Sequence, residues 1–284
     1  MSETTIASLR AGDQVDAVFA CSRKDRLTAR SGTPYLALEL RDRTGSIQAR
    51  AFRDADVLSG RFERGDLVRV AGRVERFRDE LQIEVRAIAR AEQADPSAFL
   101  PVAYRNVDEL EGFLEHLARE VHDPAYAGLL ERMLADEALR GEWRRAPCTR
   151  AGHHAYLGGL LEHTVAVGTL ALELTQLHPR LNPDLLLTAA LVHDIGKTRE
   201  FTYGAEIGLT DEGRLLGHIV LGQRIIDGYE LPDDRRLALA HCILTHHGAQ
   251  QAPGGRFGSP EALALYRINA LDASVKGALE HGLP

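Results

Sequence analysis

Cysteine is scarce in this sequence of 284 residues, which has only three. Cys21, Cys148 and Cys242 are far apart in the chain, odd in number and form no CxxC pair. This spacing argues against a disulfide framework and against a zinc site built on cysteine. A reducing cytoplasm is therefore the expected location of the protein.

Long apolar runs are also missing. No uninterrupted stretch approaches the roughly 20 apolar residues that a membrane-spanning helix needs, so we expect no transmembrane segment. The first residues, MSETTIASLRAGD, are polar, which predicts that no secretory signal is present. A hydrophobic content of 44% and a charged content of 26% are ordinary for a globular protein, and the length has room for about two domains.

The sequence has no excess of positive charge. Its formal net charge of −7 argues against a strongly basic nucleic-acid binder. The charge is unevenly distributed, because residues 1–92 contain 17 basic and 15 acidic side chains, whereas the remaining residues contain 17 and 26. A mildly basic segment thus precedes an acidic one, and we expect the two to have different functions. An acidic segment needs bound cations near its centre if it is to handle phosphates.

The first 92 residues show the period-two alternation of β-strands. Alternating segments, separated by turn signals, lie at 13–23, 34–42, 45–52, 66–77 and 81–89. Residues 54–62 have room for a short helix between the third and fourth strands. Five strands with a helix after the third are the order of an OB-fold, although another small barrel or a β-meander has the same pattern.

After a proline-containing linker at 93–105, the sequence is predicted to be helical throughout. One helix is expected over 107–121, with Asn106 as its cap, and another from 123 to 143, with Pro124 in its first turn. Further helices are expected near 158–177, 183–194, 212–229, 233–247 and 260–279. We therefore predict a multidomain protein: a small all-β OB-fold barrel over 1–92, a linker and helical segment over 93–145, and an all-α bundle over 146–284.

Several of these helices bring a histidine or an aspartate to a mostly apolar face. The residues are His163, the pair His193–Asp194, His218, the pair His246–His247, and Asp272. A lone histidine on such a face is more often a hydrogen-bonded core residue, and a lone helical aspartate is commonly solvated, but five such positions are hard to explain one by one. Imidazole and carboxylate are the usual ligands of Mn²⁺, Fe²⁺, Zn²⁺ and Mg²⁺, and bundles build metal sites from facing helices. The set therefore predicts a metal centre.

The pattern H…HD…H…HH…D resembles the HD superfamily of metal-dependent phosphohydrolases over roughly residues 150–280, and HDIGK is the form shared by many of its two-metal members. The string HHAYLGGLLEHT at 153–164, together with GHIVLG, THHG and an OB-like N-terminal module, is similar to the YhaM-type 3′→5′ exoribonucleases. The resemblance implies that residues 1–92 form an OB-fold nucleic-acid-binding domain and residues 146–284 an HD phosphohydrolase domain.

The resemblance also implies two bound divalent ions, for which we expect Mn²⁺, with Fe²⁺, Co²⁺, Zn²⁺ or Mg²⁺ as alternatives. The implied ligands of the first ion are His163, His193, Asp194 and Asp272. Asp194 then bridges to a second ion held by His218 and His246, and the part played by His247 stays open. Some HD relatives bind a third ion through a glutamate one helical turn before the first histidine; Gly159 is at that position here, so a third ion is not expected by that route.

Two divalent ions about 3.5–4 Å apart supply an activated water and neutralise the charge that develops on a phosphodiester during hydrolysis. Asp194 is the expected bridge because a carboxylate offers two oxygens. Lys197 is a candidate to contact the scissile phosphate or stabilise the leaving oxygen; the alternative is a solvated lysine at a helix C-terminus. His153 and His154, which the resemblance places near the substrate, are candidates to bind phosphate or protonate the leaving group, unless they are neutral loop histidines.

The N-terminal module contains the residue types of a surface that binds single strands. OB-folds combine cationic contacts with aromatic stacking in one groove. The candidates in the first hairpin are Arg23, Lys24, Arg26 and Arg30, and those on or beside later strands are Tyr35, Arg50, Phe52, Phe77 and Arg78. An ordinary solvated loop is the alternative for the basic cluster, and Phe19 is expected in the barrel core.

These inferences together predict a metal-dependent phosphodiesterase that removes nucleotides from the 3′ end of single-stranded RNA, with single-stranded DNA as a second candidate substrate. The direction of cleavage rests on the resemblance. One alternative is an HD phosphohydrolase of small nucleotides with a regulatory OB domain. Another is a nucleic-acid-binding or scaffold protein with a lapsed HD site, which the presence of every expected ligand type disfavours. The residues do not determine the native metal or the oligomeric state.

Overall fold

The computed structural model describes residues 4–29, 32–78, 80–92 and 95–282. They divide into two compact units. The first comprises the chain up to Leu100 together with Tyr203–Gly208, and the second comprises Pro101–Thr202 and the chain from Leu209 onward. Within the described ranges, no helix combines the length and the apolar character needed to cross a membrane.

The first unit is a closed β-barrel. Its elements are β1 Gln14–Thr28, β2 Pro34–Asp42, β3 Gly45–Ala51, α1 Ala55–Ser59, β4 Leu67–Phe77 and β5 Glu80–Arg90. The strand order around the barrel is β1-β2-β3-β5-β4, and only the β3–β5 pairing among the described ladders is parallel. Strand β1 continues past its predicted end at residue 23 because residues up to Thr28 still pair with β2. The predicted OB-fold is confirmed.

Alternate side chains of these strands fill the barrel. Phe19, predicted to lie in the core, is completely buried, and so are Leu36 and Leu40 on β2 and Val70 on β4. Because the strand period is two, the residues between them point outward. The barrel therefore presents one set of side chains to its core and another to solvent.

The second unit is mainly helical. Its helices are α2 Val107–Arg119, α3 Pro124–Ala135, α4 Glu137–Arg145, α5 Gly159–Leu177, α6 Pro183–Val192, α7 Lys197–Glu200, α8 Asp211–Asp227, α9 Asp233–Thr245 and α10 Pro260–His281. Helix α6 is buried at every position from Leu185 to Val192 and packs against α2, α3, α5, α9 and α10. A helix that is apolar all round lies inside its fold, so the residues that follow α6 emerge in the interior of this unit.

Three features of this region differ from the prediction. The helix predicted from 123 to 143 is broken at Asp136, which has extended backbone angles and whose carboxylate accepts the Leu139 N–H as the N-cap of α4. The prediction of helix throughout is wrong at 201–209, where β6 Phe201–Tyr203 pairs with β7 Ile207–Leu209. Helix α8 is kinked at Gly217, whose φ of 70° is in the region that favours glycine.

The predicted linker is irregular apart from a 3₁₀ turn at Pro96–Ala98, and its residues 93 and 94 lie outside the described residues. Asn106 caps α2 as predicted, because its side chain accepts the N–H groups of Asp108 and Glu109. Among the candidates for binding nucleic acid, Arg30 lies outside the described residues.

Gly72 allows strands β4 and β5 to approach closely at a bulge. The pairing shifts register between Ala71 and Gly72, and a Cβ at position 72 would overlap the carbonyl oxygen of Glu84 on β5. We expect Gly72→Ala to lower the free energy of unfolding by about 1–3 kcal/mol, the usual cost of overpacking. Differential scanning calorimetry of the full chain measures the loss.

The matched control is Gly60→Ala, also in the first unit. Gly60 has an ordinary φ of −75°, and a Cβ there meets nothing closer than 3.8 Å. Equal transition temperatures for the two variants would contradict the proposed role of Gly72.

Candidate metal centre and nucleic-acid surface

The metal centre is built on the pair His193–Asp194, which directly follows the buried helix α6. His193 is completely buried and Asp194 is 2% exposed. The ring Nδ1 of His193 lies 2.9 Å from the carbonyl oxygen of Ala190. Because a carbonyl oxygen can only accept, Nδ1 carries the hydrogen, and the lone pair of Nε2 points away from α6 toward the Asp194 carboxylate.

Helix α9 repeats this arrangement. His246 follows the end of the helix, is completely buried, and its Nδ1 lies 2.6 Å from the carbonyl oxygen of Ile243. Its Nε2 atom therefore also carries a lone pair, and this atom lies 3.4 Å from Asp194 Oδ1. The same local geometry at two helix ends thus presents two imidazole nitrogens to one carboxylate.

The two oxygens of Asp194 face two different groups of histidines. Oδ2 lies 3.3 Å from Nε2 of His193 and 3.6 Å from Nε2 of His163, whereas Oδ1 lies 3.6 Å from Nε2 of His218 and 3.4 Å from that of His246. One group of potential ligands is His163, His193 and Asp194, and the other is Asp194, His218, His246 and His247. Each oxygen of this carboxylate thus faces one group of potential ligands.

His247, whose role the sequence left open, belongs to the second of these groups. Its Nε2 lies 3.0 Å from Nε2 of His218, and it is exposed where His246 is buried. The structure therefore brings both histidines of the pair to this side of Asp194.

Two observations indicate that this cluster fits cations. First, Asp194 Oδ1 and His246 Nε2 are buried and have no hydrogen-bond partner among the described residues, although an unpaired buried polar atom is costly. Second, the Nε2 atoms of His163 and His193 lie 3.3 Å apart while the Nδ1 atoms of both rings act as donors elsewhere. Two lone pairs that face each other are stabilised by a cation between or beside them.

The rings are in the form that binds metals. Burial lowers the pKa of His163 well below its ordinary value and that of His246 to about 4. The imidazoles are therefore neutral at pH 7, as metal ligands must be.

Asp272 occupies a different place from the other implied ligands. Its Oδ2 accepts a hydrogen bond from Nδ1 of His163 at 2.6 Å and lies 3.9 Å from Nδ1 of His154. The structure groups Asp272 with these two histidines and not with Asp194. In this position it fixes the ring of His163 and directs Nε2 toward His193.

Lys197 begins helix α7 and is buried, which excludes the alternative of a solvated lysine at a helix C-terminus. Its Nζ lies 2.6 Å from Asp194 Oδ2 and 3.4 Å from the sulfur of Cys148. Burial alone would raise the pKa of Asp194, but the positive charge of Lys197 outweighs it and holds this pKa well below its usual range. Lys197 thus keeps the bridging carboxylate ionised.

His153 and His154 lie on the loop before α5, close to His163. The ring centroids of both lie 5.4 Å from that of His163, and the two Nδ1 atoms are 3.2 Å apart. His154 is 1% exposed, and burial lowers its pKa to about 3. His154 is therefore a buried neutral imidazole beside His163.

One residue that contacts this centre could not be found from the sequence. Glu200 is buried, and its Oε1 lies 3.1 Å from the backbone nitrogen and 3.3 Å from Nδ1 of His218. The contact depends on the kink at Gly217, which no spacing in the sequence indicates.

On the barrel, aromatic and cationic side chains from different strands form one surface. The rings of Tyr35 and Phe52 stack at 5.4 Å, and Arg50 lies over the rings of Tyr35 and Phe77 at 6.0 and 5.2 Å. Arg78 covers Phe77 at 5.3 Å. Phe52 and Phe77 are each 44% exposed, so this aromatic surface (Tyr35, Arg50, Phe52, Phe77 and Arg78) is open to solvent.

The basic residues of the first hairpin are arranged differently. The ammonium of Lys24 is turned inward and bonds to the carbonyl oxygens of Ser59 and Phe62. Arg23 pairs with Asp25, and Arg26 pairs with Asp56. The structure therefore does not join these three residues to the aromatic surface.

Comparison with known proteins agrees with both units. The family model of the HD domain matches residues 160–274, and that of an OB-fold nucleic acid binding domain matches residues 20–89. A protein named 3′-5′ exoribonuclease YhaM from Listeria welshimeri is 26% identical over 286 residues, which cover 96% of this chain and 89% of the relative. The protein of the same name from a Geobacillus species is 28% identical and covers 95% and 85%.

Among solved structures, the second OB-fold domain of replication protein A from Methanococcus maripaludis is similar to part of this chain. It is 22% identical, covers 33% of this chain and 99% of that one, and has a TM-score of 0.27. Taken with the closed barrel and the helical unit, the family matches show that this chain combines an OB-fold nucleic acid binding domain with an HD domain, and that over nearly its whole length it resembles the YhaM exoribonucleases.

Proposed function

We propose that this protein is a metal-dependent 3′→5′ exoribonuclease that shortens single-stranded RNA, with single-stranded DNA as a second substrate. The observation that carries the proposal is the convergence of the Nε2 atoms of four histidines on the two oxygens of Asp194. It occurs in a chain that resembles named exoribonucleases over 96% of its length. The 3′→5′ direction comes from those relatives alone.

We propose two divalent ions, with Mn²⁺ as the native metal. His163, His193 and Asp194 would hold one ion, and Asp194, His218 and His246 would hold the other, with His247 as a further ligand on the exposed side. When bound, the ions supply an activated water and neutralise charge on the phosphoryl oxygens. Asp272 fixes the ring of His163 by accepting a hydrogen bond from its Nδ1.

Four residues around this centre then have different roles. Asp194 holds the two sites at a fixed spacing, and Lys197 stabilises its charge from the buried side. His154 and His153 are placed to bind the terminal nucleotide of the strand. The lowered pKa of His154 favours a hydrogen bond from its neutral ring over proton donation to the leaving group.

The aromatic surface of the barrel supplies the contacts to the rest of the strand. Bases stack on Tyr35, Phe52 and Phe77 while Arg50 and Arg78 contact phosphates, which is how OB-folds bind single strands without sequence preference. We propose residues 1–92 as this binding domain, 93–145 as the connecting segment and 146–284 as the catalytic domain. The cytoplasmic location stays a prediction.

The first test follows a 5′-labelled single-stranded RNA in Mn²⁺, with Asp194→Ala beside the wild type. We expect a descending ladder of labelled products that EDTA abolishes and that the variant does not produce, because the bridge between the two sites is lost. The metal content of the purified variant, measured by plasma mass spectrometry, should fall as well.

The other outcomes are equally informative. Immediate release of labelled mononucleotide would reverse the direction of cleavage. Intact RNA with a full metal content would reject the exonuclease and favour a hydrolase of small nucleotides. Intact RNA with no bound metal in the wild type would indicate a binding protein.

A second test concerns Glu200, which holds both the backbone N–H and the ring of His218. Removal of such a supporting carboxylate typically weakens metal affinity about 10–100-fold. We expect Glu200→Ala to weaken Mn²⁺ binding by this factor and Glu200→Gln, which keeps an acceptor oxygen, to weaken it less. Isothermal titration of metal-free protein measures both.

Glu212→Ala, an exposed glutamate on the same helix α8 as His218, serves as the control. If Glu200→Ala binds Mn²⁺ as tightly as Glu212→Ala, Glu200 does not support the site.

A third test addresses the aromatic surface. Single changes of Tyr35, Phe52 and Phe77 to alanine should each weaken binding of a short single-stranded RNA by about 1–3 kcal/mol, the value of one base stacked on an aromatic ring. Fluorescence anisotropy in EDTA, which prevents cleavage, gives the affinities. Phe113→Ala is the control, because Phe113 is 48% exposed but belongs to the helical unit; equal losses in all four variants would reject this surface.

A further inference from the structure

The loop that carries His153 and His154 has an unfavourable backbone. His154 has a φ of 52°, in the left-handed region, and the loop also contains Gly152 and Gly158 at positive φ. For a residue with a side chain this conformation is unfavourable. Such a conformation persists only where the surrounding structure fixes it, so the contacts of this loop indicate what sets the position of His154.

On one side, the loop is held by its own flanking residues. The carbonyl oxygen of His154 accepts the backbone N–H of Cys148 at 3.1 Å. The same carbonyl lies directly against the first turn of α5, where a Cβ at position 159 would overlap it. A glycine at position 159 is thus required by the close approach of His154.

On the other side, the loop is held by the last turn of α10. The carboxylate of Glu280 accepts the backbone N–H of His154 at 3.0 Å, and the ring of His281 donates to the carbonyl oxygen of Gly152 at 2.8 Å. Lys276 lies between Glu280 and Glu162, at 3.5 and 3.0 Å. Glu162 in turn accepts a hydrogen bond from the Tyr156 hydroxyl at 2.7 Å.

Both the loop that carries His154 and the residue Glu280 lie outside the residues that match the HD domain. The match covers residues 160–274, whereas the loop precedes it and Glu280 follows it. The segment before the domain and the segment after it are therefore tied to each other beside His163 and Asp272, with which His154 forms one group of potential ligands.

We infer that Glu280 is a positioning residue, which fixes the strained loop so that the ring of His154 faces the reacting end of the strand. The last turn of α10 is then part of the active site, although it contributes no ligand to the metal centre. This inference rests on the proposed exonuclease function, in which His154 binds the terminal nucleotide.

The test compares Glu280→Ala with Glu280→Gln. The glutamine keeps an oxygen that accepts the His154 N–H, whereas the alanine removes it. Misplacement of a group by about 1 Å costs about 100-fold in rate, so we expect Glu280→Ala to lower kcat on single-stranded RNA by about 10- to 100-fold. The bound metal should be unchanged, and Glu280→Gln should retain activity. Leu279→Ala, in the same turn and 79% exposed, controls for loss of helix stability.

A second measurement separates this inference from the proposed function. Hydrogen exchange of residues 149–158, followed by mass spectrometry, should be faster in Glu280→Ala than in wild type, Glu280→Gln or Leu279→Ala. Unchanged exchange in Glu280→Ala would overturn the positioning role, whatever the enzyme cleaves. Faster exchange with an unchanged kcat would overturn the link between this loop and catalysis, and an inactive wild type with faster exchange in the variant would reject the exonuclease alone.

Discussion

The ionised carboxylate of Asp194, held in the interior of the helical unit, is the constraint on which the candidate centre depends. An isolated buried carboxylate would take up a proton, because burial disfavours the charged form. Here Lys197 lies against one oxygen and the imidazoles of the surrounding helices lie near both. The apolar helix α6 brings the carboxylate to this place, and the positions of the histidines follow from the need to surround it.

Four of these histidines are also held in place by a contact at Nδ1. His193 and His246 donate to carbonyl oxygens three residues earlier, His163 donates to Asp272, and His218 lies against Glu200. A ring whose Nδ1 is occupied in this way has one tautomer and one orientation, which leaves Nε2 for a ligand. The helix ends thus determine the protonation pattern of the cluster before any ion binds.

Much of this arrangement could be predicted from the sequence. His163, the pair His193–Asp194 and His246 were found because a polar residue beside a buried apolar run is unusual, and the barrel strands were found because their period is two. Contacts that depend on an irregular backbone could not be predicted. The contact between Glu200 and His218 needs the kink at Gly217, and the break at Asp136 arises because its side chain caps α4 in place of continuing α3.

The position of a residue in the sequence also does not show which groups its side chain contacts. Lys24 has the composition of a binding residue, but carbonyl oxygens of its own unit engage its ammonium. Asp272 has the expected place in the motif, but its carboxylate lies behind His163. In both cases the sequence indicates the helix or strand that carries the residue, whereas the direction of the side chain is decided by packing.

The negative charge of the helical unit also affects how the centre can accept a phosphodiester. Its residues are acidic on balance, and the ammonium that contacts Asp194 among the described residues, that of Lys197, is neutralised by this carboxylate. A phosphodiester brings further negative charge to the same place. Protein groups at the centre therefore do not offset that charge, and bound cations must do so. On the proposed barrel surface, stacking on Tyr35, Phe52 and Phe77 would hold a strand without a large positive charge and leave it free to dissociate and advance.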